Sequence, residues 1–407
     1  MGAKTKSGFE TLAQASVYTQ EKMMKVKKDN NTFFIGLPKE ISRQENRISL
    51  TPDAVAILIT HGHDVWVETL AGVGSRFSDK QYSEAGAKIV YSPQEVYKAD
   101  IILKIEPPTM AEMDFFQPGQ TLICALQVGH LEKNFIDALI SKRITALAWE
   151  FIEDKVGGMP IIRGMSEIAG STVMLIAAEY LSSVHDGKGI ILGGITGVPP
   201  TKVVIIGSGT VAEYAGRAAL SLGAEIQVFD NHLYKLRRIK HTLGHQFYTS
   251  TIDTVTLGES LRTADVVIGA LRAEKGRARH VVSEEMVSHM KSNSLIIDLS
   301  IDQGGCIATS EITNHAKPTF RKYGVIHYCV PNVASRVAHT ATTALSNIFT
   351  PTILRAAEEG GVEEMIFSHK WFMKGVYCYK GGLTNESVAK KFGMKFKNME
   401  LLIAARV

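Results

Sequence analysis

The sequence predicts an α/β protein of two parallel-sheet domains, the first discontinuous in the chain, and three observations carry that prediction. Short apolar strand patterns alternate with helical ones from Phe33 onward, the alternation that builds a parallel sheet covered by crossover helices. A second run of this alternation starts at the strand Val203-Val204-Ile205-Ile206, which ends in glycines. A last long helical pattern, at about 340–359, follows that run and is placed to return the chain to the first domain.

Taken in order, residues 1–32 are polar and lysine-rich and read as an N-terminal extension. The first domain takes 33–165 plus 333–407, with strands at 33–37, 64–68, 88–90, 100–104, 121–126 and 145–149 and a helix at 52–61. An apolar helix over 166–182 bridges into the second domain, 166–332, whose sheet continues with strands at 264–270 and 294–299. Both of these strands end at the ligand-facing edge of a parallel sheet, which places Leu271 there.

Gly207-Ser208-Gly209-Thr210-Val211-Ala212 follows the buried strand directly. The first glycine permits a tight turn, and Gly209 lets backbone approach a pyrophosphate. Ala212 takes the third small position, where helix packs on strand. Thr210 and Val211 open the helix, whose N-terminus holds the anion. The next strand, 226–229, ends in Asp230, near the spacing at which a carboxylate accepts from ribose hydroxyls. Together these features make the second domain Rossmann-like and its cofactor NAD, since the carboxylate repels a 2′-phosphate. Lys235, Arg237 and Arg238 are the nearby cations that work against that preference.

With 407 residues and 45% apolar content the chain can give each domain its own core. The sequence predicts no apolar run long enough to span a bilayer, and the N-terminus lacks a secretory pattern, so the expectation is a soluble cytoplasmic protein. Cys124, Cys306, Cys329 and Cys378 show no C-x-x-C spacing, so no metal is expected. A net charge of +4 spread along the chain gives no basic stripe for nucleic acid.

Four further motifs carry a resemblance: Gly36-Leu37-Pro38-Lys39-Glu40 with Glu45-Asn46-Arg47 and Leu50-Thr51-Pro52; Met165-Ser166-Glu167-Ile168-Ala169-Gly170; Gly193-Gly194-Ile195-Thr196-Gly197-Val198-Pro199; and the run from Asp298 to Cys306 through Asp302-Gln303-Gly304-Gly305. With them, nearly everything after residue 32 resembles the alanine dehydrogenase family, which shares its fold with the nucleotide-binding subunit of pyridine nucleotide transhydrogenase. The resemblance implies a substrate held between two Rossmann-like domains and hydride transfer to NAD from the carbon bearing the amino group. The imine is then hydrolysed to a 2-oxo acid and ammonium. It also implies a homo-oligomer, a hexamer in the family.

By the same resemblance Arg47 grips the substrate carboxylate, for which its planar fork is suited. Asp302 stands beside nicotinamide and substrate, although Asp-Gln-Gly-Gly is also turn chemistry. Ser166 and Asn332 match positions that contact cofactor or substrate, and either residue type also caps backbone groups. Two positions depart from the family. Where it carries Lys-Val-Lys-Glu-Pro and binds substrate with the second lysine, this chain has Lys104-Ile105-Glu106-Pro107-Pro108, so that lysine becomes Glu106. Lys104 lies on the same strand face and could serve after a modest shift. The family's catalytic histidine aligns with Gln127, which can orient water or substrate but cannot titrate. His130, three residues on, is the other candidate.

The leading function is NAD-dependent oxidative deamination of a small L-amino acid, L-alanine by resemblance. An opine- or saccharopine-type dehydrogenase acting on a larger amine, a soluble transhydrogenase component and a non-catalytic NAD sensor are the competing readings.

Overall fold

A computed structural model describes residues 31–41, 44–127, 131–272 and 280–404. Its first sheet contains β1 (Phe34–Leu37), β2 (Asp64–Glu68), β3 (Lys88–Val90), β4 (Ile101–Leu103), β5 (Thr121–Cys124) and β6 (Thr145–Ala148). The second contains β7 (Lys202–Ile206), β8 (Glu225–Phe229), β9 (Tyr248–Ser250), β10 (Val266–Gly269), β11 (Leu295–Asp298), β12 (Thr319–Lys322) and β13 (Val325–Tyr328). Two late strands, β14 (Val376–Tyr379) and β15 (Gly382–Leu383), join the first sheet, so the first domain is discontinuous.

The first sheet runs β15-β14-β6-β5-β4-β1-β2-β3 and the second β12-β13-β11-β10-β7-β8-β9. In each, chain order reverses at a switch point, between β1 and β4 in the first sheet and between β7 and β10 in the second. The carboxyl ends of strands flanking such a point form the crevice where doubly wound sheets bind ligands. Both faces of each sheet are covered. Ile35, Leu37, Leu103 and Ile123 pack on one side of the first sheet and Ile102, Leu122 and Ala146 on the other. Val203, Ile205 and Ile297 divide from Val204, Ile206 and Ile296 in the same way in the second. Such side chains contribute about 1.5–3 kcal/mol each, which is why these strands read as unbroken apolar runs.

The sheets are mostly rather than wholly parallel. β12 and β13 form one antiparallel hairpin, and β14 pairs antiparallel with both β6 and β15. Each hairpin turns on two left-handed residues, Tyr323-Gly324 (φ 54° and 73°) and Lys380-Gly381 (φ 46° and 76°), the type I′ geometry that fits strand twist. Neither pair is the Asn-Gly that usually signals it.

The bridging helix, Pro160–Leu181, begins before the predicted 166, with proline in its first turn. It corrects the membrane reading: at 22 residues and mean hydropathy 1.3 it is long and apolar enough to cross a bilayer. Here its apolar faces are used inside the protein. Val173, Met174, Ile176 and Ala177 are buried, and a Cβ on Gly170 would strike the Val211 carbonyl of the Thr210–Ser221 helix. The return helix, Ala338–Glu358, inserts Leu345, Phe349 and Ile353 into the core of the first domain.

Candidate active site

After β1 the segment 45–51 has no repeating structure, so its buried N–H groups need partners from elsewhere. The return helix and the turn before it supply them. Asn46 N–H donates to Ser335 Oγ (2.8 Å), Ile48 N–H to Thr342 Oγ1 (3.1 Å) and Thr51 N–H to Ser346 Oγ (2.8 Å). Arg47 is thereby fixed at the switch point. Its Nε and one terminal nitrogen donate to the two Glu45 oxygens at 2.7 and 2.6 Å, while the other terminal nitrogen faces Met165 Sδ at 3.4 Å. Burial by itself would lower the guanidinium pKa, but the Glu45 carboxylate outweighs it and the pKa is raised. Glu45 occupies one edge of the fork, which leaves the end edge for a second carboxylate.

Lys104, just past β4, is 1% exposed, and its Nζ lies 2.8 Å from Glu112 Oε1 and 3.3 Å from Glu40 Oε2. Tyr97 Oη also donates to Glu112. This ammonium is committed to two carboxylates, and separating a buried pair costs about 3–5 kcal/mol. Glu40 accepts from Ile105 N–H (2.6 Å), and burial, opposed by Lys104, pushes its carboxyl up to about 7.

Glu106 and Gln127 meet across the ends of β4 and β5, Gln127 Nε2 donating to Glu106 Oε2 at 2.5 Å. Gln127 has a left-handed backbone (φ 48°). Its N–H and that of Leu126 both donate to Glu150 Oε1, at 3.1 and 2.7 Å. Burial raises the Glu150 carboxyl, and its Oε2 is buried with no hydrogen-bond partner among the described residues. Glu40 and Glu150 were missed by sequence reasoning. A carboxylate directly after a buried strand was the available signal, since such residues stand at the ligand edge. His130 lies outside the described residues.

At the second switch point Gly207 has φ 110°, and a Cβ there would come 2.5 Å from the Ala270 carbonyl oxygen. Gly209 differs: its φ is −79°, and the space a Cβ would occupy is open to 4 Å. It precedes the first turn of Thr210–Ser221, whose N-cap has no side-chain hydrogen bond, so backbone N–H groups at Thr210 and Val211 remain for an anion. Ala212 is fully buried beneath them. Asp230 ends β8 and is 4% exposed. It accepts from Ser208 N–H and Oγ (2.9 and 2.7 Å) and from His232 N–H and Nδ1 (2.8 and 3.0 Å). These bonds, with the Lys235 charge, outweigh burial and hold it below the usual carboxylate range. An open cradle at Gly209 with a carboxylate on the neighbouring strand is the arrangement a dinucleotide requires. Leu271 packs beside the same edge, half-buried, after β10.

Asp302 sits on a single turn of 3-10 helix, Ile301–Gln303, just past β11. Its loop is wound around the buried Asp298 carboxylate, which accepts from Ser300 N–H (3.0 Å), Cys306 N–H (3.0 Å) and Ser310 Oγ (2.8 Å). Solvent reaches Asp302, yet the protein crowded around it, together with the Asp298 charge, raises its carboxyl to about 6. Asn332 is placed before the turn Val333–Val337, its carbonyl accepting from Ser335 N–H (2.9 Å).

One helix joins the two switch points. On Pro160–Leu181, Met165 touches Arg47, half-buried Ser166 follows, and Gly170 abuts Val211. Met165 and Gly170 are five residues apart, a rise of about 7.5 Å along the helix, so one short stretch of helix contacts both the arginine and the nucleotide-domain helix.

The chain matches the family models for the alanine dehydrogenase/PNT N-terminal domain over residues 36–169 and C-terminal domain over 173–386. It belongs to the alanine dehydrogenase/PNT family. It is 38% identical over 367 residues to alanine dehydrogenase 2 of Staphylococcus aureus (strain USA300), an alignment covering 90% of this chain and 98% of that one. A solved L-alanine dehydrogenase superposes with a TM-score of 0.83 at 34% identity, covering 88% of this chain and 99% of that one. A transhydrogenase from Sinorhizobium meliloti shares the fold, with a TM-score of 0.74 at 23% identity over 87% of this chain and 99% of that one. A member of this family with these relatives is an NAD-dependent amino-acid dehydrogenase.

Proposed function

We propose that the protein catalyses the reversible oxidative deamination of L-alanine to pyruvate and ammonium, between the two switch points. The observation that carries this reading is a single helix that touches both halves, Met165 at Arg47 and Gly170 against the helix that follows the dinucleotide cradle. Gly207, Gly209, Thr210, Val211 and Ala212 would hold the pyrophosphate, Asp230 and Lys235 the adenosine ribose, and Ser166, Leu271 and Asp302 the nicotinamide end. Bound there, NAD supplies the hydride acceptor.

The end edge of Arg47 grips the substrate carboxylate, already oriented and charge-compensated by Glu45. Asp302, with its carboxyl raised to about 6, is ionised at neutral pH and still basic enough to take a proton from water attacking the imine. Gln127 and Asn332 orient groups by hydrogen bonding. Lys104 supports the site through Glu40 rather than by touching substrate.

NAD reduction measured across the L-amino acids, with pyruvate, ammonium and NADH in reverse, tests this reading. L-alanine should be the best substrate, and calorimetry should show NAD binding more tightly than NADP because Asp230 repels an added phosphate. A cavity of about 290 Å³ beside Glu106 and Gln127 favours a second reading, an opine- or saccharopine-type reaction on a larger amine. Activity confined to secondary amines in the same screen would select it. The protein is further expected to be a cytoplasmic homo-oligomer, a hexamer by resemblance. A light-scattering mass of only 44.5 kDa would contradict the assembly.

A further inference from the structure

A carboxylate is gripped well only by a guanidinium that stands in one place, and a long side chain takes its direction from the backbone it leaves. The two peptide groups flanking the Arg47 Cα set that direction. Each is held by atoms brought from outside it. In the first, the Asn46 carbonyl accepts from Ser75 Oγ at 2.8 Å, and the Arg47 N–H donates to Glu45 Oε1 at 2.9 Å. In the second, the Ile48 N–H donates to Thr342 Oγ1 at 3.1 Å.

The two hydroxyl groups are joined to each other, Ser75 Oγ to Thr342 Oγ1 at 2.8 Å, and both residues are fully buried. Each hydroxyl has one proton to give, and only one assignment uses both. Ser75 gives its proton to the Asn46 carbonyl, the nearer of its two backbone acceptors, the Ala338 carbonyl lying at 3.4 Å. Thr342 then gives its own to Ser75. The reverse order would leave the Thr342 proton without an acceptor among the described residues. A directed chain results, from Ile48 N–H through Thr342 and Ser75 to the Asn46 carbonyl, and it begins and ends on the peptide groups either side of Arg47. Gly74 lets the turn Val73–Ser75 come this close, since a Cβ there would lie 2.6 Å from the Asn46 carbonyl oxygen. Three parts of the molecule meet in this chain: the Arg47 segment, the turn after β2 and the return helix.

We propose that Thr342 and Ser75 are positioning residues for Arg47, and that their hydroxyl chain sets the affinity for the carboxylate shared by the amino acid and the 2-oxo acid. This rests on the amino-acid dehydrogenase reading and on Arg47 as the carboxylate grip within it. Both hydroxyl groups are buried, so they act through Arg47 rather than on substrate. Glu45 fixes the far end of the arginine, and the hydroxyl chain fixes its root. Removing either hydroxyl leaves a buried backbone group without its partner, and the peptide planes around Arg47 turn to find another. A tilt of about 10° at the Cα carries the end of an arginine about 1 Å. A misplacement of about that size can cost about a hundredfold.

The test compares the full-length protein with Thr342→Val, Thr342→Ser, Ser75→Ala and the double variant Thr342→Val/Ser75→Ala. Valine keeps the shape of threonine without the hydroxyl. Steady-state constants are measured for the best amino-acid substrate and, in reverse, for its 2-oxo acid and for ammonium at saturating 2-oxo acid, with NAD affinity by calorimetry. Thr342→Val should raise KM for the amino acid and the 2-oxo acid about ten- to a hundredfold, while kcat falls less than KM rises. KM for ammonium and the affinity for NAD should stay within about threefold, because neither ligand meets Arg47. Thr342→Ser keeps the hydroxyl and should return KM to within about threefold of wild type. Ser75→Ala should match Thr342→Val, and the double variant should be no more than about twofold worse than either, since one chain is broken once. A loss of packing would instead lower the melting temperature and move every constant together. If Thr342→Val does not fold, Ser75→Ala and Thr342→Ser carry the comparison. Unchanged KM for the amino acid and 2-oxo acid in the variants lacking a hydroxyl, or a rise shared equally by ammonium, overturns the positioning role. A wild-type protein that reduces no NAD with any amino acid overturns the dehydrogenase reading itself, and this role with it.

Discussion

At the second sheet's switch point the recognition groups belong to the backbone: an open glycine, a helix start and a tight turn against Ala270. At the first sheet's switch point they are the ends of side chains, and nearly all are already paired with one another. The nucleotide half therefore reserves space, while the amine half reserves charge. A backbone cradle tolerates changes around it provided no atom enters it. A buried ionic cluster ties every member to its neighbours, so one substitution changes several pKa values together.

The largest effect should come where the halves meet in function. Asp302→Asn keeps the shape of the Ile301–Gln303 turn but removes the carboxylate proposed to carry the proton, and kcat should fall roughly a hundred- to ten-thousand-fold. NAD affinity by calorimetry should change little. Next, Arg47→Lys replaces a fork held by Glu45 with a point charge, and kcat/KM for alanine should drop about a hundredfold, mainly through KM. An equal loss of NAD affinity in that variant would break the division between the halves.

The glycines sharpen it further. Gly209→Ala meets no neighbouring atom and needs no unusual backbone, so the ligand-free melting temperature should stay level or rise slightly. NAD should bind at least about tenfold more weakly, because the methyl takes the pyrophosphate's place. Gly207→Ala should do the reverse to the fold and destabilise it outright, since φ is 110° and the Ala270 carbonyl blocks the new atom.

The smallest effect is on stability with pH. Glu40, raised to about 7, and Asp302, raised to about 6, hold their protons more tightly in the folded chain than in the unfolded one. Their contribution is complete below the ordinary carboxylate range and is lost as pH rises through 6 and 7. Glu45 and Glu112 are lowered, so theirs is lost only on acidification below that range. Calorimetric melting of the ligand-free protein should thus weaken from about pH 5 to 8, and Glu40→Gln should flatten the trend.

The same contrast explains what was legible in the sequence. The fingerprint strand, its glycines and Asp230 are close in the chain, and local geometry determines their use, so strand, turn and acid are all legible in the sequence. The amine half is assembled from the ends of four strands and a helix nearly 300 residues away. The pairing of Lys104 with Glu112 and of Gln127 with Glu106 could not be seen from spacing, nor could the hydroxyl groups of Thr342 and Ser346 holding the Arg47 segment. The two hairpins were missed because Tyr-Gly and Lys-Gly are weak turn signals. The bridging helix starts at Pro160 rather than 166, because a proline fits the first turn of a helix, where its missing N–H costs no bond.

Hydride transfer from the α-carbon, at a site joining Arg47 to the glycine cradle, is the claim on which the rest depends. It can be followed directly with L-alanine carrying deuterium at C2 and oxidised NAD, the reduced cofactor being analysed by mass spectrometry. One deuterium per pyruvate formed, carried on the nicotinamide ring, is the expected result. Reduced cofactor without deuterium, or tight NAD binding with no reduction by any amino acid, would contradict the account.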